Sequence, residues 1–128
     1  MNSKTIDLIH NDVNANGYTV APGQTLEIIL EGGGAYGHGW DYDDTIGNGL
    51  YSVDYTYEQY GPDNGCPVGN LGCRGKEIFE ITAGAEEGDA TFFTCWVEKW
   101  IETVKYSEMS KTQRNRNCKE IKINVEKA

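Results

Sequence analysis

Apolar residues in this chain recur at every second position, in short runs cut by glycine-rich stretches. Side chains change faces with period two in a strand and period 3.6 in a helix, so the pattern predicts strands. Leu26, Ile28 and Leu30 alternate with Glu27 and Glu31, which makes Thr25–Glu31 a strand. In Leu50–Tyr60, Tyr51, Val53, Tyr55 and Tyr57 share a face opposite Ser52, Asp54, Thr56 and Glu58. Glu77–Thr82 turns Phe79 and Ile81 to one side. Thr91–Val97 is almost wholly apolar or aromatic, as a strand covered on both faces would be. Lys119–Lys127 points Ile121, Ile123 and Val125 inward, and Thr5–Ile9 and Tyr18–Ala21 are short strands at the start.

Turn-rich stretches separate these runs: Asn11–Gly17, Pro22–Gly23, Gly32–Gly39, Gly47–Gly49, Gly61–Gly75 and Gly84–Gly88. Glu102–Asn117 is polar and is expected to extend a hairpin at Ile101–Tyr106 and then become a loop. With 128 residues there is room for one domain, 1–128, with its own core. The expected fold is all-β, an immunoglobulin-like antiparallel β-sandwich of about seven to eight strands. Trp40, just after a glycine-rich loop, suits the buried tryptophan of such a sandwich.

The charge is lopsided. Residues 1–64 hold ten acids and one base, Lys4, and residues 65–128 hold ten of each, so the net charge of −9 comes from the first half. Nucleic acid and anionic membrane surfaces demand cationic protein and are excluded as main partners. No apolar run approaches the ~20 residues that span a bilayer, and Met1–Thr5 lacks the apolar core of a signal peptide. The expectation is a secretory-pathway protein, in a lysosome-like vesicle or secreted, whose leader has been removed; the alternative is the cytoplasm.

Cysteines stand at 66, 73, 95 and 118 with no C-x-x-C, which disfavours a zinc ribbon and excludes a thioredoxin motif. Two disulfides are possible in three connectivities, against four free thiols. Cys66–Cys73 would close a short glycine-rich loop, and Cys95–Cys118 would join two strands. Disulfides would imply an oxidising compartment.

Chemistry is hard to place. Only His10 and His38 could serve a serine or cysteine nucleophile as base. His10 lies in the N-terminal stretch and His38 in a flexible Gly-His-Gly, so neither is expected to be catalytic. Asp41-Tyr42-Asp43-Asp44 resembles the start of a calcium loop, but the sixth and twelfth positions are Ile46 and Ser52 rather than Gly and Glu. The Gly32–Gly37 run lacks the Gly-Lys-Ser/Thr of a phosphate cradle. No enzyme, metal or cofactor is therefore expected. The loops themselves are the unusual feature, because glycine permits close backbone approach and tryptophan anchors interfaces.

In order and spacing these loops resemble those of the chagasin family of papain-like cysteine-peptidase inhibitors. Leu26–Leu30 is similar to the strand leading into that family's first loop, Gly33, Gly34, Ala35, Tyr36 and Gly37 fill the loop, and His38-Gly39-Trp40 supplies the tryptophan after it. Gly72, Cys73, Arg74 and Gly75 resemble the second loop, and Glu98, Lys99 and Trp100 the third, with Trp100 at the family's tryptophan position. Ala35 and Tyr36 stand where the family has two threonines, Arg74 replaces a glycine, and Glu98-Lys99 replace Arg-Pro. The resemblance covers about residues 18–127. It implies reversible, non-covalent inhibition of papain-like (cathepsin-type) cysteine peptidases, three loops at one end occluding the active-site cleft. It also implies a monomer binding one enzyme. The competing reading is a carbohydrate-binding sandwich that stacks sugars on Tyr51, Tyr55 and Tyr57.

Overall fold

Residues 3–32, 38–43, 49–60, 62, 66, 74–98, 105–112, 114 and 118–127 are described by a computed structural model. Among them are eight strands: β1 Ser3–Asp7, β2 Tyr18–Val20, β3 Thr25–Gly32, β4 His38–Tyr42, β5 Tyr51–Gln59, β6 Gly75–Ala83, β7 Gly88–Glu98 and β8 Cys118–Val125. They form two four-stranded sheets, ordered β1-β3-β6-β5 and β2-β8-β7-β4.

Alternation builds the core. On β3, Leu26, Ile28 and Leu30 are at most 1% exposed, and the residues between them are half-buried. They meet Phe79 and Ile81 of β6, and across the layers Phe92 of β7 and Ile121, Ile123 and Val125 of β8. The Phe79 and Phe92 rings lie 5.2 Å apart, tilted by 55°. Each such side chain contributes roughly 1.5–3 kcal/mol by leaving water.

The sheets are not purely antiparallel as expected. β1 runs parallel to β3, and β2 parallel to β8. The chain leaves the first sheet after β1, places β2 in the second, and returns as β3. Two crossings restore its direction, whereas alternation reports which face is buried and not which neighbour is taken.

The sequence reading also missed β4. It is short, contains Gly39, and half-buries Trp40, Asp41 and Tyr42, so it lacks a clean alternation. Trp40 is accordingly half-buried at the rim of the core rather than at its centre.

A second apolar cluster lies on the other side of β7. Phe93, Cys95 and Val97 are at most 4% exposed, with Met109 and Cys118 packed against them. Tyr106–Glu108 is a 3-10 turn, residues 111, 112 and 114 are helical, and most of the hairpin expected at Ile101–Tyr106 lies outside the described residues. Arg114 fixes this segment by donating from Nη1 to the Met109 carbonyl at 2.6 Å. The doubly covered strand expected at Thr91–Val97 is thus β7.

Candidate functional site

The site is built from strand ends. In the first sheet Gly32 pairs with Gly75, and Gly75 pairs with Gln59. In the second, His38 pairs with Glu98. The first predicted loop leaves from Gly32 and returns at His38. The second lies between Gln59 and Gly75, and the third continues from Glu98. All the strand ends that carry the predicted loops therefore lie at one end of the sandwich.

Two glycines make that end possible. A Cβ on Gly75 would meet the Glu58 carbonyl oxygen and come within 2.8 Å of Gln59 Cα, both backbone of the neighbouring strand. A Cβ on Gly32 would run into the carboxylate of Glu77. Glycine is thus required at both positions by close approach, without any special backbone angle.

Glu77 ties the layers together here. It is 1% exposed and sits on the inward face of β6. The Trp40 backbone N–H of β4 donates to both its oxygens at 3.0 Å. The Tyr55 hydroxyl of β5 donates to Oε1 at 2.7 Å. Hydrogen bonds to a charged acceptor in such surroundings are strong. Burial, and then this bond to Glu77, push the Tyr55 hydroxyl pKa above its ordinary value. Trp40 closes the mouth further by donating from Nε1 to the Glu31 carbonyl at 3.0 Å.

Above Glu77 lies a stack of rings and cations. Trp40 and Trp96 meet edge to face, with centroids 5.8 Å apart. The Arg74 guanidinium lies 5.6 Å from the Trp96 ring, and the Lys119 ammonium 5.9 Å from the Trp40 ring. Each cation gains from the ring's quadrupole. Arg74 also pairs with Glu31 at 3.1 Å, and Tyr60 donates to the same carboxylate at 3.2 Å. The Tyr60 hydroxyl pKa is raised, chiefly by burial and then by Glu31. Arg74, at the end of the second loop, is thereby linked to β3 and β7 at once.

Of the predicted site residues, Arg74, Gly75 and the backbone of Glu98 are at this end. Gly33, Gly34, Ala35, Tyr36, Gly37, Gly72, Cys73, Lys99 and Trp100 lie outside the described residues. Glu77, Glu31 and Lys119 were not singled out from the sequence. The signal for Glu77 was its parity with Phe79 and Ile81, which places all three on the inward face of one strand.

Cys95 and Cys118 form a disulfide, and their residues pair across β7 and β8. Cys66 is also disulfide-bonded. Its expected partner, Cys73, lies outside the described residues.

The three tyrosines of the sugar-binding alternative do not form one exposed row. Tyr55 and Tyr57 are 42% and 37% exposed. Tyr51 instead packs against Phe92 and donates to the Thr91 carbonyl at 2.8 Å. Burial and Asp43 push its pKa up to about 12. His10 Nδ1 lies 2.8 Å from Asp7 Oδ2. Among the described residues no cluster of His, Cys, Asp or Glu could hold a metal.

Fold and loop placement define an immunoglobulin-like sandwich that presents loops from one end. Solved structures share that architecture. The solution structure of Amebosin has a TM-score of 0.62 at 19% identity and covers all of both chains. The cysteine protease inhibitor EhICP2 from Entamoeba histolytica gives 0.61 at 9% identity, covering 97% of this chain and 96% of that one. PbICP-C, solved in complex with falcipain-2, gives 0.50 at 16% identity, covering 98% and 90%. No family model matches the chain. In sequence, Amoebiasin-1 of Entamoeba histolytica is 32% identical over 89 residues, which are 70% of this chain and 79% of that protein. This chain belongs to the same family, the chagasin-type cysteine-peptidase inhibitors.

Proposed function

We propose that this chain inhibits papain-like cysteine peptidases reversibly and without a covalent bond, by inserting three loops at one end of the sandwich into the active-site cleft. The observation that carries this is the convergence of the loop-bearing strand ends, Gly32/His38, Gln59/Gly75 and Glu98, at a single end. Family membership and the structural likeness to cysteine protease inhibitors support it. The protein then acts by binding and carries out no reaction of its own.

Gly33–Gly37 would lie over the catalytic cysteine, where small residues let backbone approach closely. Cys73–Gly75 and Glu98–Trp100 would grip the walls on either side. Ordering glycine-rich loops works against affinity, and the disulfides at Cys66 and Cys95–Cys118 offset this by stiffening the chain near two of the loops. The same bonds support an oxidising compartment reached through the secretory pathway, either a lysosome-like vesicle or the outside.

The test is titration into papain or a cathepsin-L-like enzyme with a fluorogenic substrate. Inhibition should be tight, stoichiometric and reversed on dilution. Trp100→Ala should raise the inhibition constant about thirtyfold if Trp100 is the interface anchor. No inhibition at micromolar protein would overturn the proposal.

A further inference from the structure

Arg74 stands where the second loop rejoins β6, and it is held from several sides. Its carbonyl accepts from the Tyr60 N–H at 3.0 Å. Its Nη1 donates to Glu31 at 3.1 Å, and its guanidinium lies 5.6 Å from the Trp96 ring centroid. The Tyr60 hydroxyl steadies Glu31 in turn, at 3.2 Å. The anchors come from both sheets, β3 in one and β7 in the other.

Held in this way, the Arg74 side chain is still 59% exposed. Among the described residues, Nη1 is the only guanidinium nitrogen of Arg74 in a hydrogen bond. An exposed ion pair contributes little to folding, so Glu31 aims the guanidinium more than it stabilises the fold. The opposite edge is left open.

A guanidinium matches a carboxylate with two parallel N–H···O bonds, a geometry that lysine cannot make. Fixing a mobile arginine at an interface costs rotamer freedom. Here Trp96 and Glu31 have removed that freedom before a partner arrives. Local charge points the same way. Lys119 lies over Trp40, the ring that meets Trp96, so each tryptophan of the pair carries a cation. A chain with a net charge of −9 thus shows a cationic spot at its loop-bearing end. The pattern that the second loop resembles has glycine where Arg74 stands, so this side chain is an addition to the scaffold.

We propose that Arg74 is a specificity-determining residue, whose open guanidinium edge binds a carboxylate on the cleft wall of the target peptidase. This rests on the inhibitory reading and narrows it: a peptidase with an acidic group at that wall is favoured over one without.

The experiment is a double-mutant cycle on papain or a cathepsin-L-like enzyme, whichever the unaltered chain inhibits more tightly. Inhibition constants are measured for the chain and for its Arg74→Ala and Arg74→Lys variants. Each Asp and Glu lining the enzyme's cleft is changed in turn to its amide. Arg74→Ala should raise the constant about tenfold. Arg74→Lys should recover only part of that loss, since it keeps the charge and loses the fork. One amide substitution should weaken the unaltered chain by a similar factor and leave the Arg74→Ala variant unaffected. High salt should shrink the gap between the chain and Arg74→Ala, which a merely structural role would not do, and the urea midpoint should move little. The proposal is overturned if Arg74→Ala inhibits as well as the unaltered chain, or if no cleft carboxylate couples to Arg74; both outcomes leave the inhibitory reading standing. An unaltered chain that does not inhibit at all overturns that reading and this proposal together.

Discussion

Replacing Glu77 with alanine should remove about 2–4 kcal/mol from the stability of the fold. The carboxylate is buried and accepts from two elements besides its own strand, Trp40 N–H of β4 and the Tyr55 hydroxyl of β5. Alanine leaves the Trp40 N–H without its acceptor, at about 1–3 kcal/mol. It also removes one buried methylene, Cγ, at about 0.8 kcal/mol. Tyr55 is 42% exposed, so its hydroxyl can turn to water, and its loss adds little. For a domain of ordinary stability, about 5–15 kcal/mol, the change is large but survivable. Urea unfolding followed by tryptophan fluorescence reads it directly, with Trp40 beside the substituted residue. The midpoint should fall while the slope with denaturant stays constant. Glu77→Gln keeps the shape and one acceptor oxygen, so it should lose about half as much. A Glu77→Ala loss below about 1 kcal/mol would refute the reasoning, as would a Gln variant no more stable than the Ala variant.

Other outcomes follow from the same contacts. Gly75→Ala should cost about 2–3 kcal/mol in urea unfolding, because its Cβ meets the backbone of Glu58 and Gln59, which cannot rotate away. A Cys95→Ala/Cys118→Ala double variant should lose about 3 kcal/mol, from a cross-link spanning 23 residues; an unchanged urea midpoint would count against the bond. Tyr51 ionises near pH 12 rather than 10 because it is buried. A raised folded-state pKa means its contribution is complete below the unfolded value and is lost as pH rises through about 12. Absorbance titration at alkaline pH should therefore show late-ionising tyrosines, Tyr55 among them, and one fewer in the Tyr51→Phe variant.

Much of the scaffold was legible in the sequence because one face of most strands is dry. Leu26-Ile28-Leu30 and Ile121-Ile123-Val125 alternate cleanly, and both triplets are in the core. β4 was not legible, because a short strand that half-buries Trp40, Asp41 and Tyr42 in succession shows no contrast. Strand direction was hidden for a different reason. β1 and β2 belong to different sheets, and no local pattern records a crossing between layers. At the loop-bearing end, Arg74 was recognised as a loop residue, yet its partners Glu31 and Trp96 lie 43 and 22 positions away in sequence. Contacts of that span depend on register, which becomes visible only once the sheets are assembled.

The small cluster of Phe93, Cys95 and Val97 under Met109 bears on how this molecule can change over time. β7 is gripped from both sides up to the point where the third loop departs. A post held that firmly tolerates drift at its tip, since new residues there need not be repacked below. Such a lineage can alter the sequence after Glu98 while the sandwich beneath keeps its shape.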